Sequence, residues 1–259
     1  MDIPLALGSQ VRFIGIDGDI RSRFRQVWYQ AGRLVVRLYS NMMFSPNITF
    51  RAPLPTGPRI LAANHPSTID PFLMTLLVNE PVCILILDTL FKIPLVGFSL
   101  RLSGHIRVDP DAGRKAMEQS RQALQAGCTL GIFPEGIISP PEGGMHPLHS
   151  GMARLALASG APVIPVGIAL DTARLKLLES QVDGKMEMGA WYMRGPYAIT
   201  VGEPLTFHGN PEDRNQVGKV SEQIVQQIGI LARQSARRLR MENWGLQFAM
   251  PPLDIVPAL

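Results

Sequence analysis

In the stretch AANHPSTIDPF, residues 62–72, His65 and Asp70 stand five positions apart, with Pro66, Ser67 and Thr68 between them. An imidazole and a carboxylate at this spacing suffice for general-base chemistry. The carboxylate fixes the ring tautomer and stabilises the imidazolium that forms, and the second ring nitrogen is left to take a proton. The same residues also fit a helix start. Ser67 is a good N-cap, and Asp70 three residues on completes a capping-box-like pair, with Asp where Glu or Gln is usual. On the motif alone both readings stand.

No G-x-S-x-G elbow occurs in the chain, so the attacking group would be a hydroxyl on a substrate rather than a protein nucleophile. Two more segments place polar residues where an apolar run ends. Glu135 and Gly136 close GIFPEG, and Arg107 and Asp109 close GHIRVD. Ligands of open α/β sheets bind outside the carboxyl ends of the strands, so these ends predict one shared site. His146 and His149 have H-x-x-H spacing but no third ligand nearby, and a proline lies between them, so no metal is expected.

The elements that would position these residues alternate in type. RILAAN, VCILIL, SGHIRV, CTLGIF, PVIPVGIAL and YAITVG read as strands, with a short one in NITF. Helices are expected at about residues 67–78, 96–102, 112–126, 151–159 and 211–241. This alternation predicts an α/β fold: a mixed, largely parallel sheet covered by helices. Residues 22–44 have apolar side chains at Val27, Ala31, Leu34, Val35, Leu38 and Met42, which is helical spacing, with Arg33 and Arg37 off that stripe. Such a helix can lie in a membrane interface or pack on the core.

The chain has 259 residues, 46% hydrophobic and only 18% charged, enough for a large core and too apolar for disorder. The net charge of +4 is uneven: residues 1–51 hold seven arginines against three aspartates. That imbalance suits an anionic lipid surface and divides the chain into a basic amphipathic segment, residues 1–51, and a main domain, residues 52–259. No apolar run approaches the ~18 residues of a membrane span, and no basic leader precedes an apolar stretch, so a peripheral or monotopic place on the cytoplasmic face of a membrane is expected. Cys83 and Cys128 sit in apolar runs and should be buried reduced thiols. There is no phosphate-binding or dinucleotide fingerprint, and nucleic acid is not an expected partner.

NHPSTID, GHIRVD, FPEG and VIPVGI occur in the order of the four sequence blocks of the glycerolipid acyltransferases of the 1-acylglycerol-3-phosphate type, and residues 58–205 resemble that family. The resemblance implies transfer of a fatty acyl group from a thioester, on coenzyme A or acyl carrier protein as co-substrate, to a lysophospholipid hydroxyl, with no other cofactor. It makes His65 the general base, Asp70 its orienter, and Glu135, Gly136, Arg107 and Asp109 substrate-binding. A backbone amide near the helix start after His65 is then the expected oxyanion donor. The match departs from the family at Ile137-Ile138, where Thr-Arg is usual, at Pro110, where Arg is usual, and at His149, where a basic residue is common. Arg107 and Arg154 are the candidates to replace the missing cations. A less anionic lipid alcohol, or a non-catalytic lipid-binding role, is the alternative.

Overall fold

Strand β2 (Arg59–Ala63) is buried at all five positions, because strands flank it on both sides and apolar layers cover both of its faces. Its side chains alternate between those layers: Ile60 and Ala62 join one cluster, Leu61 and Ala63 the other. The structure is a computed structural model that describes residues 19–44, 46–109, 112–182 and 185–241. Residues 1–18 of the expected basic segment, and Pro110, lie outside the described residues.

With β2, strands β1 (Asn47–Phe50), β3 (Val82–Leu87), β4 (Ile106–Val108), β5 (Thr129–Ile132), β6 (Val163–Leu170) and β9 (Tyr197–Val201) form a seven-stranded sheet. Its order is β1-β9-β6-β2-β5-β3-β4. The five strands from β6 to β4 run parallel, and β9 pairs antiparallel with β6 and parallel with β1. The sheet is mixed and largely parallel, as expected. The division expected at residues 51 and 52 falls at the end of β1.

Helices α5 (Gly113–Gln125), α6 (Gly151–Ser159) and α7 (Arg214–Met241) cover the face of Ile60 and Ala62. α7 lies so close to β6 that a Cβ on Gly167 would sit 2.0 Å from the Ala232 amide nitrogen. Only glycine permits that approach. Arg238 of α7 also donates to Asn47 Oδ1, Thr200 Oγ1 and the Ile199 carbonyl, tying β1 to β9.

The other face carries α2 (Asp70–Met74) and the inward side of α1 (Asp19–Met43). α2 is shorter than the sequence suggests, since the chain continues from Met74 in turns. Helices α3 (Asp88–Lys92) and α4 (Pro94–Leu102) follow β3. Residues 176–191, which carry no clear periodicity, form an antiparallel hairpin of β7 (Lys176–Val182) and β8 (Lys185–Trp191).

The α1 stripe faces outward. Phe24, Val27, Leu34, Val35, Leu38 and Met42 are between 55% and 71% exposed. The opposite side holds the helix down through polar groups: Tyr29 accepts from the Val82 amide, and Arg33 donates to the carbonyls of Val78 and Asn79. Nothing among the described residues packs over the stripe. Among the described residues, no helix is long and apolar enough to cross a membrane.

His105, just before β4, accepts the Ile84 amide N–H on Nδ1 at 3.2 Å, and burial lowers its pKa from 6.5 to about 4. The unfolded chain takes up this proton near the ordinary value and the folded chain only near the lower one. The contribution is fully present above about 6.5 and is lost as pH falls towards 4. Denaturant unfolding between pH 7 and 4 should show a loss on the order of 2 kcal/mol, allowing for partial exposure of the ring, that is absent in His105→Gln. An identical pH dependence in the variant would contradict this assignment.

Candidate active site

β2 ends at Ala63, and the chain turns through Asn64 into the loop that precedes α2. Asn64 locks that turn: its side chain donates to the Ile168 carbonyl and accepts from the Ile168 amide. His65 continues the alternation of Leu61 and Ala63 and so emerges on the α2 face of the sheet. Its Nδ1 lies 2.9 Å from Asp70 Oδ2. The ring stacks on Phe133, centroids 4.1 Å apart and planes 22° apart, and its side chain is 15% exposed.

Asp70 is fully buried and accepts three hydrogen bonds: from His65 Nδ1, from the Ser67 amide at 2.8 Å, and from the Tyr197 hydroxyl at 2.6 Å on Oδ1. Burial and the adjacent carboxylate push the Tyr197 pKa well up, so its hydroxyl stays protonated and donates. Since a carboxylate can only accept, Nδ1 carries a proton and Nε2 presents its lone pair. The two readings of the motif coincide. Asp70 makes the back-reaching half of a capping box with the Ser67 amide while also holding the imidazole. Ser67 caps only weakly: its hydroxyl donates to the Ala190 carbonyl of β8 at 2.8 Å and accepts the Ile69 amide at a long 3.5 Å.

Near the start of α2 the amides of Ser67, Thr68 and Asp70 already donate to Asp70 Oδ2, the Ala190 carbonyl and the Ser67 carbonyl, whereas the Ile69 amide meets only Ser67 Oγ at a long 3.5 Å and is the least committed of the four. Docking of the hairpin onto this loop accounts for the Thr68 bond, and nothing in the local sequence signals it.

Glu135 follows β5, the neighbour of β2, and is 2% exposed. Burial raises its pKa, and the bonds it accepts offset part of that shift. Oε1 receives Ser139 Oγ at 2.6 Å and the His65 amide at 3.3 Å, and Oε2 receives the His146 amide at 2.8 Å. Ser139 donates its amide to the His65 carbonyl and accepts the His65 amide on Oγ. This carboxylate therefore reaches the base through the His65 main chain. Gly136 has φ +72°, and a Cβ there would lie 2.9 Å from the His149 ring, which occupies the space beside it.

Arg107 and Asp109 are not brought to His65. β5 and β3 stand between β2 and β4, a lateral offset of roughly 14 Å at the usual strand spacing. Arg107 pairs instead with Asp88, which also meets Lys92 at 3.2 Å. Asp109 is half-buried at the same edge. Arg154 donates to the Pro211 carbonyl and to Glu212 at 3.2 Å. Both arginines are thus engaged by neighbours of their own, and Ile137 beside Gly136 is 54% exposed. Among the described residues, no group of three His, Cys, Asp or Glu is placed to hold a metal.

Tyr197 was legible only as a buried aromatic at a strand start. Tyr197→Phe should leave the fold intact yet cost ~1–3 kcal/mol in denaturant unfolding, the usual penalty for an unsatisfied buried acceptor. Unchanged stability would show that Asp70 Oδ1 does not need this donor.

Residues 45–169 match the model of the family described as Acyltransferase. Curated relatives include the 1-acyl-sn-glycerol-3-phosphate acyltransferase of Chlamydomonas reinhardtii, 32% identical over 44% of this chain and 35% of its own length. Those of Saccharomyces cerevisiae and Escherichia coli are 25% and 27% identical, over 66% and 47% of this chain. The chain spans 54% and 51% of those two proteins, so the match covers about a third to a half of each relative. The crystal structure of the 1-acyl-sn-glycerophosphate acyltransferase from Thermotoga maritima shares the fold, with TM-score 0.56 and 20% identity over 87% of this chain and 84% of that one. The matched segment runs from β1 into β6 and encloses both the His65–Asp70 pair and Glu135, so this part of the chain, just under half of it, is an acyltransferase-family domain.

Proposed function

We propose that this protein is an O-acyltransferase that moves a fatty acyl group from a thioester, on coenzyme A or acyl carrier protein, to the hydroxyl of a lysophospholipid in phospholipid biosynthesis. 1-Acylglycerol-3-phosphate is the proposed acceptor. The observation that carries this reading is His65, at the end of a central strand, with Nδ1 held by a buried carboxylate and Nε2 unclaimed among the described residues. Nε2 takes the acceptor's hydroxyl proton as its oxygen attacks the thioester carbonyl. The tetrahedral adduct then expels the thiolate, which recovers the proton from the imidazolium. Asp70 orients and stabilises the imidazolium, and Glu135 is a positioning residue for the His65 loop. The relatives' names, which specify this acceptor, support the assignment.

The outward α1 stripe supports a peripheral or monotopic place on the cytoplasmic face of an anionic membrane. Residues 1–51 serve as the associating segment, which brings His65 to an acceptor dissolved in lipid.

A second acceptor reading rests on exposed Ile137 and on the engagement of Arg107 and Arg154 elsewhere. A phosphate monoester in a partly dry site needs paired cations, and each charge-assisted bond contributes about 1.5–3 kcal/mol. Without them a zwitterionic or uncharged lysolipid competes well. Thioester consumption with lysophosphatidic acid, a zwitterionic lysolipid and a monoacylglycerol decides between the two. A tenfold or greater preference for the first establishes the phosphate acceptor, and comparable rates establish the second reading. No turnover with any acceptor, from protein that remains folded, rejects acyl transfer.

A further inference from the structure

A cavity of about 430 Å³ opens at the β4 edge, away from His65. Arg25 of α1, Arg101 of α4 and Arg107 of β4 line it, with Gln119 and Gln122 of α5, and among the described residues no carboxylate lines it. Cys83, Ile106 and Ala123 give it an apolar floor.

The three guanidiniums are only partly engaged. Arg25 donates one N–H to the Arg101 carbonyl, Arg101 donates one to the Phe91 carbonyl, and Arg107 meets Asp88. Each guanidinium has five N–H groups. Like charges drawn to one concavity from three elements repel, and Asp88, which meets Arg107, is shared with Lys92. Gln122 is turned towards Glu118, which also pairs with Arg121. His105, also in the lining, is kept neutral by burial and adds no charge. The cleft thus has a surplus of planar donors suited to phosphate oxygens beside a surface suited to an apolar body.

We propose that this cleft binds a ligand carrying a phosphate group and an apolar body, at a site separate from the His65–Asp70 pair. Two sources offer that chemistry: a soluble nucleotide-bearing carrier such as coenzyme A, or the head group of an anionic phospholipid reached from the membrane beside α1.

The proposal does not depend on acyl transfer, so its test uses the full chain bearing His65→Ala and no thioester. Calorimetric titration with coenzyme A is set beside titration with monomeric dihexanoylphosphatidylglycerol, using the phosphatidylcholine analogue as control. Arg25→Ala and Gln119→Glu change exposed or half-exposed positions, and their Tm should stay unchanged. Saturable binding should weaken at least tenfold in each variant. Binding of coenzyme A alone assigns the soluble source, and binding of the glycerol lipid alone assigns the head group. Binding of both shows that the phosphate itself is read. No binding of either, or equal binding by wild type and variants, overturns the proposal.

Discussion

His65→Ala should lower acyl transfer by roughly 10²–10⁴-fold, the usual value of a general base, while leaving the unfolding transition nearly unchanged. The imidazole stacks on one ring. Its bond to Asp70 falls on Oδ2, which keeps the Ser67 amide when the ring is gone, unlike Oδ1 when Tyr197 is changed. The remaining bonds of His65 run through its main chain to Glu135 and Ser139. Asp70→Asn should be nearly as damaging to turnover, because an amide can present an N–H to Nδ1 and cannot stabilise the imidazolium. It should also lower stability by ~1–3 kcal/mol, since the carboxylate accepts from the Ser67 amide and the Tyr197 hydroxyl as well. The pattern to look for is a rate loss without stability loss at His65 and both losses at Asp70. Folded His65→Ala protein with wild-type kcat would reject the mechanism.

Replacing Leu34, Val35, Leu38 and Met42 together by serine should reduce binding to anionic vesicles about 10³-fold or more. Burying such a side chain contributes ~1.5–3 kcal/mol when complete. Even at partial depth, four of them sum to at least ~4 kcal/mol, or about three decades at ~1.4 kcal/mol each. The arginines of the same segment add a salt-sensitive share. Because these four side chains already face outward in the folded chain, Tm should not fall. Vesicle co-sedimentation alongside thermal unfolding measures both quantities. A large drop in Tm would mean that the stripe packs against protein, and unchanged sedimentation would remove α1 as the membrane contact.

Periodicity made the α/β layering legible, because β2, β3, β5 and β6 are continuous apolar runs and α5 and α7 have regular stripes. It could not give the strand order, and that is why the sequence places Arg107 with His65: in sequence only β3 separates β2 from β4, whereas in space β5 also inserts between β2 and β3. The His65–Asp70 pair was legible because its partners are local. Tyr197 and Ser139 were not, since each meets the pair only through tertiary packing across 127 and 74 positions. The β7–β8 hairpin was missed because Leu177, Leu178, Met186 and Met188 are exposed and do not alternate cleanly with polar residues.

The position of β1 also bears on synthesis. Asn47 pairs with Ala198, so β1 leaves the ribosome about 150 residues before its one sheet neighbour among the described residues exists. At ~5–20 residues per second that delay is roughly 8–30 s. During it α1, adjacent in sequence and carrying an apolar stripe that no described residue covers, is available to a bilayer before the His65 loop has packed against β9. Nascent chains arrested before Tyr197 should therefore already attach to membranes through α1, so that targeting precedes folding and the sheet closes at the lipid surface.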